Sequence, residues 1–380
     1  MYSPFSFNGQ GPGESCAEIV AGFPPQLMST HLYGARFRRR LPAHVELHPS
    51  LPLTHTHVPW SLVAERAEKQ LVLDFRRALG TADPRNSVAY FWPDPPVALV
   101  QAARERGIPT VREMINTARA YSGPILDGAY GRLGLGPTDA AEPEKVVAET
   151  EELRLYDRYF ASNPEVEKSL VGLGVRPEQI LSTTFGWTPS KLTPPHHVRV
   201  APCLRFLFVG SVSVRKGVPE LLEAWSRAGV DGELVLAGRI APELRSMVAA
   251  HERKGSVQAI GFRRDVAALF HSADVFVFPT LEEGGPQVTY EAAGCGLPVI
   301  TTPMGAARLI ESERNGLVVE PGSVAQLADA ISSLAGQPEL RTEYGAEARR
   351  GAQRFAYEVV AADRCRQLVG VSRSHVHGPG

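Results

Sequence analysis

The second half of this chain repeats one unit, a short and mostly apolar run followed by glycine or proline and then by an amphipathic stretch. Runs rich in β-branched and aromatic residues that do not alternate with polar residues are typical of strands buried on both faces. Their alternation with helical stretches predicts a parallel sheet covered by helices on both sides, the doubly wound α/β plan. The runs are residues 205–209, 233–237, 257–260, 274–278 and 298–301.

The first half shows the same alternation less regularly. At 380 residues and 43% hydrophobic content, the chain is long enough for two domains that each bury a core. Residues 186–202 carry four prolines and little apolar periodicity, which predicts a linker between the halves. Candidate strands of the first half are 87–91, 110–113, 157–161 and 179–182, and candidate helices are 59–79, 96–106, 142–155 and 164–173.

These patterns predict an N-terminal Rossmann-like domain at 1–190, a linker at 191–202, a C-terminal domain at 203–356, a helix at 357–370 and a flexible tail at 371–380. A doubly wound domain normally opens with an apolar strand before its first glycine turn, yet only eight residues precede Gly9. Two alternatives remain. Either the first strand is truncated and the true start lies upstream of Met1, or Tyr2–Phe7 supply a short strand.

Composition excludes several classes of protein. Lys and Arg number 40 against 41 Asp and Glu, so no field of one sign would recruit nucleic acid. The four cysteines form no CxxC pair, and the eleven histidines show no ligand spacing, so we expect neither a metal site nor another cofactor. With no run of about 18 apolar residues and no signal-peptide pattern, the expected location is the cytoplasm.

A basic motif follows the first strand of the second half. Gly210 ends that strand, and Arg215 and Lys216 precede a helix whose Pro219 suits a first turn. Amides at a helix N-terminus favour phosphate, and the two side chains add charges suited to a diphosphate. The alternative is a solvated basic turn before a surface helix.

An acidic motif occupies residues 279–298. Glu283 lies in a glycine turn, and Glu291 follows eight residues later in a helix that begins at Pro286. Both carboxylates are therefore expected to face the crevice at the carboxyl ends of the strands, where open α/β sheets bind ligands. Either glutamate alone would be interpreted as a helix N-terminal charge. The amides predicted to hold ligand oxygens are those of Gly285, Gln287 and Val288.

Together the two motifs resemble the retaining glycosyltransferases of family 4, which have the GT-B fold of two Rossmann-like domains facing a cleft. The resemblance covers about residues 200–320 and rests on the Lys-Gly pair, the strand end at 234–238, the strand at 273–279 and the glutamate motif with its continuation to 301. It implies transfer of a sugar, such as a hexosyl group, from a nucleotide diphosphate donor in glycan biosynthesis. Retention of configuration without a metal is also implied, and no DxD carboxylate pair stands out at a strand end.

The resemblance implies a role for each matching residue. Glu283 would contact the donor sugar's hydroxyls near the reacting carbon, Glu291 would hold the ribose hydroxyls, and Lys216 would neutralise the diphosphate. The family commonly has arginine where this chain has Ser211, and Arg215 is an alternative source of that charge. The other implied donor-side residues are Gly210, Gly285, Pro286, Gln287 and Val288, with Gly238, Arg239, Gly261 and Phe262 around the nucleoside.

The first half resembles the family more loosely. Gly11 and Gly13 belong to a segment similar to the family's glycine loop, which approaches the donor phosphate and the acceptor. Where many relatives have a histidine near the reacting carbon, this chain offers Glu113 and Asn116. Contact with sugar or acceptor hydroxyls and capping of the following segment are the alternatives for these two residues. The resemblance also implies that the helix at 357–370 crosses back onto the N-terminal domain.

The expected partners are a nucleotide diphosphate sugar and a sugar, lipid-linked or small-molecule acceptor. A basic cluster of Arg36, Arg38, Arg39 and Arg40 fits either a solvated element end or weak peripheral contact with the inner membrane face. A nucleotide-sugar epimerase or a phosphorylase is a rival on the same fold. A second rival is a catalytically inactive nucleotide-sugar-binding or partner-binding protein, which Ser211 and the absent histidine favour.

Overall fold

The computed structural model describes residues 1–7, 11–52, 58–194 and 203–377. Over these ranges the chain forms two parallel sheets, of seven and six strands, with helices packed on both. The first sheet ends at Ser182 and the second begins at Leu204. The described residues include no helix long and apolar enough to cross a membrane.

The first sheet has the strand order β3-β2-β1-β4-β5-β6-β7. Tyr2–Phe7 form an inner strand that pairs with a strand on each side, so these residues do supply a short first strand. Two strands were missed by the sequence analysis, because Gly34 and Arg36 interrupt the apolar pattern of one and the other is a polar edge strand. The strands are β1 Tyr2–Phe7, β2 Thr30–Phe37, β3 Val45–Pro49, β4 Ala89–Phe91, β5 Thr110–Met114, β6 Arg158–Ala161 and β7 Ile180–Ser182.

The second sheet has the order β10-β9-β8-β11-β12-β13 and contains the apolar runs predicted from sequence. Its central strands are almost fully buried, as expected for strands covered on both faces. One short edge strand was missed, since its three residues are too few to form a pattern. The strands are β8 Leu204–Val209, β9 Gly232–Ala237, β10 Val257–Ala259, β11 Val275–Phe278, β12 Val299–Thr301 and β13 Gly316–Val318.

Helices connect the parallel strands. The helix Arg119–Arg132, with Pro124 inside it, was not among the candidate helices, because its glycines and proline interrupt the helical sequence pattern. The helices are α1 Gly11–Ala21, α2 Trp60–Thr81, α3 Val97–Glu105, α4 Arg119–Arg132, α5 Pro143–Leu153, α6 Pro164–Gly172, α7 Val218–Ala228, α8 Arg245–Glu252, α9 Ala267–His271, α10 Gln287–Gly294, α11 Pro303–Ala306, α12 Val324–Gly336, α13 Pro338–Ala352 and α14 Tyr357–His377.

The last helix, α14, packs on the first sheet and its helix α1. Ala361 lies so close to Gly22 that a Cβ on that glycine would be 2.6 Å from the alanine methyl. Leu368 and Val371 are buried in the core of the N-terminal half. Burial of Val371 stabilises the helix beyond the expected limit at residue 370, so the expectation of a tail starting at 371 is corrected to a helix that continues to His377.

The chain crosses between the two halves at two neighbouring points. At the first crossing, the Trp187 amide donates to the Phe355 carbonyl at 3.1 Å, and the Tyr357 amide donates to the Trp187 carbonyl at 3.0 Å. The indole N–H of Trp187 donates to the Ala352 carbonyl at 2.8 Å. The segment leaving the N-terminal half and the segment returning to it are therefore hydrogen-bonded to each other. Residues 195–202 of the expected linker, with His196 and His197, lie outside the described residues.

A fully buried ion pair holds α14 to the first sheet. Both side chains, Arg364 and Glu113, have no exposed surface, and the guanidinium donates to both carboxylate oxygens at 2.7 and 3.2 Å. Glu113 also accepts from the Tyr90 hydroxyl, and Arg364 donates to the Thr184 carbonyl at 2.9 Å. The guanidinium lies 4.9 Å from the ring centre of Phe160. Every charged atom thus has a partner, which a charge removed from water requires.

Replacing one member of this pair should destabilise the protein strongly. We expect Arg364→Met to lower the free energy of unfolding by about 3–5 kcal/mol at neutral pH, because it leaves the Glu113 charge buried without a counter-ion. Urea unfolding followed by circular dichroism measures this loss, and the double variant Glu113→Gln/Arg364→Met should recover part of it. Arg366→Met is the matched control, because its pair with Asp363 is exposed. A loss for Arg364→Met no larger than for this control would contradict the assigned role.

Candidate functional site

The carboxyl ends of the strands of both sheets meet at one cleft. The loop after β11 contacts the ends of β5 and β6, and a Cβ on Gly284 would lie 1.7 Å from the Ile115 carbonyl oxygen. Ser162 donates to the Gly284 carbonyl at 2.6 Å, and Asn163 donates to the Met304 carbonyl at 2.7 Å. Only glycine permits this approach of the two backbones. The acidic motif therefore lies at the junction of the two halves.

Lys216 is placed at this cleft by a tight turn. The turn following β8 ends at Gly217, whose φ is 67°, and a Cβ there would lie 2.0 Å from the Pro279 carbonyl oxygen. The Lys216 ammonium forms an ion pair with Glu283, donates to the Glu282 carbonyl at 3.3 Å and lies 5.7 Å from the ring centre of Phe278. The fold thus brings Lys216 and Glu283 into contact. The family resemblance implies that Lys216 binds the donor diphosphate and Glu283 the donor sugar.

Burial and the attraction between the two charges shift the pKa values of both side chains. Burial lowers the pKa of Lys216, and the neighbouring Glu283 carboxylate offsets only part of this effect. Burial alone would raise the pKa of Glu283, but Lys216 and Arg215 bring it below its ordinary value. The carboxylate therefore stays ionised at neutral pH beside two cationic side chains.

Arg215 is paired with a glutamate that the sequence analysis did not single out. Its guanidinium donates to Glu282 at 2.8 Å, and only 3% of the Glu282 side chain is exposed. The other carboxylate oxygen of Glu282 accepts from the backbone N–H and the hydroxyl of Thr117, both at 3.2 Å. Glu282 thus links the basic turn to the N-terminal half. The sequence feature that could have identified Glu282 is its position beside Glu283, in the turn that follows a strand.

Glu291 lies on α10, the helix that follows the acidic turn, and interacts electrostatically with Lys191 and Tyr357. Burial raises its pKa to about 7, and the more distant Lys191 opposes this rise only weakly. Among the described residues, no donor hydrogen-bonds its carboxylate. A half-buried carboxylate without a partner is costly in the free protein and is available to hydroxyl donors of a ligand.

The start of α10 contacts both α1 and α14. Gln287 donates from its amide to Ser15 at 2.6 Å and accepts from the Tyr357 hydroxyl at 2.7 Å. Gly285 lies against the Phe185 ring, where a Cβ would be 1.9 Å from a ring carbon. The backbone N–H of Gln287 is already donated to the Gly285 carbonyl at 2.9 Å. Of the amides predicted to hold ligand oxygens, this one is therefore occupied within the turn. Pro286 precedes the helix and Val288 lies in its first turn.

The residues assigned to the nucleoside lie at neighbouring strand ends. A Cβ on Gly238 would be 1.6 Å from the Gly210 carbonyl oxygen, so the turns after β9 and β8 pack backbone to backbone. The Arg239 guanidinium lies 5.3 Å from the ring centre of Phe262, which is 44% exposed and follows Gly261. This exposed stack offers a flat surface suited to a base. Ser211 is exposed beside it.

The predicted role of Glu113 in the cleft is wrong. Its carboxylate is buried in the ion pair with Arg364, because the returning helix α14 covers that side of β5. Asn116, three residues on, is exposed and adjoins Gly284 across the cleft. Gly13 packs against the Ser6 carbonyl of β1, where a Cβ would lie at 2.5 Å, and Gly11 is exposed at the start of α1.

Two members of the basic cluster are engaged inside the protein. Arg36 is buried, donates to the Val58 carbonyl at 2.8 Å and lies over the Trp60 ring. Arg39 forms ion pairs with Glu14 and Glu18 of α1. These contacts make Arg36 and Arg39 unavailable to an external phosphate.

Part of the chain matches a known protein family. Residues 203–337 match the family described as glycosyl transferases group 1. The chain is 28% identical over 294 residues to a D-inositol 3-phosphate glycosyltransferase of Arthrobacter sp. (strain FB24), covering 70% of this chain and 66% of that protein. It is 25% identical over 224 residues to the capsular polysaccharide biosynthesis glycosyltransferase CapM of Staphylococcus aureus, covering 57% and 58%. The chain thus spans two thirds or less of the length of these curated relatives.

Solved structures identify the fold. Anabaena Alr3699/HepE in complex with UDP matches with a TM-score of 0.68 and 16% identity, over 97% of this chain and 99% of that one. WaaG, a glycosyltransferase involved in lipopolysaccharide biosynthesis, matches with a TM-score of 0.66 and 21% identity, over 97% and 98%. The GT-B fold expected from the sequence is confirmed.

The unpaired carboxylate should make the free protein less stable as pH rises. The pKa of Glu291 is about 7 when folded against an ordinary 4.5, so folding favours its protonated form, and stability falls from pH 4.5 up to 7. We expect Glu291→Gln to be more stable than the wild type at pH 8, by on the order of 1 kcal/mol, and this gain to shrink at pH 5.5. Urea unfolding at both pH values measures it. A difference that is constant with pH would contradict this origin.

Proposed function

We propose that this chain, whose residues 203–337 match the family described as glycosyl transferases group 1, is a glycosyltransferase that uses a nucleotide diphosphate sugar. The observation that carries the proposal is the buried Lys216–Glu283 ion pair, followed by the unpaired Glu291 on the next helix. Two cations and two carboxylates at strand ends suit a ligand that combines a diphosphate with sugar hydroxyls. The similar Anabaena structures in complex with UDP and with UDP-glucose support a donor of this kind.

The proposed donor enters by exchanging partners with the ion pair. Its phosphate oxygens take the place of Glu283 beside Lys216, and Arg215 adds charge from the same turn. The carboxylate of Glu283 then becomes available to accept from hydroxyls of the donor sugar. Because the cations are neutralised before the donor arrives, neither is buried as an unpaired charge in the free protein.

The proposed chemistry follows from where charge develops. As the bond between the anomeric carbon and the phosphate oxygen breaks, the leaving diphosphate becomes more negative and the sugar more positive. Fixed cations at the phosphate and a carboxylate at the sugar stabilise both changes, so no metal is required. We propose that the acceptor attacks on the face that the phosphate leaves, with retention, and that the departing phosphate takes the acceptor's proton.

The two halves are proposed to divide the substrates. Residues 203–356 would bind the donor, with the stack of Arg239 and Phe262 against the nucleoside, and residues 1–190 would bind the acceptor. Asn116 and Ser15 of α1 are two N-terminal residues that adjoin the acidic motif. Contacts such as Thr117 with Glu282 close the cleft and exclude water, which would otherwise hydrolyse the donor.

A sugar, a lipid-linked sugar or a small molecule remains the proposed acceptor class, and the cytoplasm the proposed location. The pairing of Arg36 and Arg39 within the protein weakens the case for contact with the inner membrane face. The second candidate function is an inactive nucleotide-sugar-binding protein, which the exposed Ser211 favours because arginine is common there in the family.

Nucleotide binding is the first test. We expect one of UDP, GDP, ADP and dTDP to raise the melting temperature, and the increment to be the same with and without EDTA, since side chains rather than a metal hold the diphosphate. The matching nucleotide sugar should then be hydrolysed slowly without acceptor. Stabilisation without turnover of any matching sugar would favour the inactive binding protein, and no stabilisation by any nucleotide would remove the proposed donor site.

Two substitutions should separate binding from turnover. Glu291→Ala should weaken nucleotide binding by about tenfold or more, through lost hydrogen bonds to a charged group. Lys216→Ala should lower kcat by about 100-fold or more, because it removes charge that stabilises the leaving group. Isothermal titration and steady-state kinetics measure the two effects, with the exposed Lys254→Ala as control. Equal and small effects of both substitutions on binding and rate would refute these roles.

A further inference from the structure

Three potential metal ligands converge at the edge of the first sheet, away from the cleft. His31 lies near the start of β2, and Glu46 and His48 lie on the edge strand β3. In the parallel register His31 is opposite Glu46, and Tyr33 is opposite His48. Because strand residues two apart point to the same face, all three side chains project from one face of the sheet.

The distances between the three groups are nearly equal. Nδ1 of His31 lies 3.2 Å from one Glu46 oxygen, and Nε2 of His48 lies 3.3 Å from the other. The two ring nitrogens are 3.3 Å apart. A tetrahedral ion with bonds of about 2.0–2.1 Å separates its ligand atoms by roughly 3.3–3.4 Å. The three groups approach one another at this separation, with each imidazole beside a different oxygen of Glu46.

Hydrogen bonding alone does not account for all three contacts. If each imidazole donates an N–H to the Glu46 carboxylate, the two N–H groups face each other across 3.3 Å, which is repulsive. If one ring nitrogen instead accepts from the other, its lone pair faces a Glu46 oxygen, which is also repulsive. A cation between the three groups receives a lone pair from each. The histidine rings are also held in place, since His48 stacks on Tyr33 at 4.2 Å with an interplanar angle of 5°.

We propose that His31, Glu46 and His48 bind a divalent cation of the Zn²⁺ class. Two imidazoles and one carboxylate suit Zn²⁺, and a water molecule fills the fourth position. Mg²⁺ and Ca²⁺ prefer oxygen ligands and are disfavoured. The ion fastens the five-residue edge strand β3 to β2, which protects an otherwise open sheet edge. This departs from the sequence expectation of no metal site, because the ligands come from two strands and form no sequential motif.

The position of the site separates it from the proposed reaction. His31 lies at the amino end of β2, next to Met1, whose amine donates to the His31 carbonyl at 2.7 Å. The proposed transferase site lies at the carboxyl ends of the strands. Loss of the metal is therefore expected to change stability and not the donor site, and the outcome does not depend on whether the proposed function holds.

The test is Zn²⁺ binding to the intact chain. Because the Met1 amine adjoins the site, the protein must carry no N-terminal tag and no polyhistidine. After EDTA treatment and dialysis, we expect titration with ZnCl₂ to show one equivalent bound, and Co²⁺ to give the visible absorption of a tetrahedral ion. His31→Gln/His48→Gln should weaken this binding at least about tenfold and abolish the Co²⁺ spectrum.

A matched control removes two other histidines. His375→Gln/His377→Gln also deletes two imidazoles, but outside the proposed site. This variant should bind Zn²⁺ as the wild type does. The wild type and this control, but not the His31/His48 variant, should gain melting temperature from one equivalent of ZnCl₂. Unchanged Zn²⁺ stoichiometry and affinity in the His31/His48 variant, or no Zn²⁺ binding by the wild type, would overturn the proposal.

Discussion

The buried pair between Glu113 and Arg364 is the interaction on which the architecture depends. It joins residues 251 positions apart in the chain and fixes the last helix to the first sheet. Two buried charges require a partner for every polar atom. The Arg364 guanidinium finds its partners in the Glu113 carboxylate, the Tyr90 hydroxyl and the Thr184 carbonyl. With α14 held in this way, its first residue, Tyr357, reaches Gln287 at the start of α10. The ion pair thus supports the cleft without lining it.

The cleft itself combines close backbone packing with charge that is balanced before any ligand binds. Glycines at 217, 238 and 284 let neighbouring turns approach where a side chain would collide. This approach brings Lys216 against Glu283 and Arg215 against Glu282. Of the glutamates 282, 283 and 291, Glu291 is the one without a hydrogen-bond donor in the described part of the chain, and burial raises its pKa. Such a site lowers the free energy of unfolding, which is common where a protein must bind a polar ligand.

The sequence predicted the second sheet well and the first less well, for a physical reason. Strands buried on both faces must be apolar throughout, so β8, β9 and β11 are visible as runs. Edge strands have no such requirement, and β2 and β3 carry the polar residues that hid them. The motifs also singled out Lys216 and Glu283, which form an ion pair in the structure. Sequence could not place Glu113, since a carboxylate at a strand end looks the same whether it faces a ligand or a distant arginine.

The two crossings between the halves have a consequence for motion. Trp187 on the outgoing segment and Ala356 on the returning segment pair as a short parallel bridge. If the two connecting segments were far apart, they would restrict rotation of one half against the other. Because they are hydrogen-bonded side by side, they act as a single hinge. The Trp187 ring, packed against Gly294 of α10, resists sliding at that hinge. If the halves rotate against each other, we expect the axis to pass near Trp187 and the contacts farthest from Trp187 to separate most.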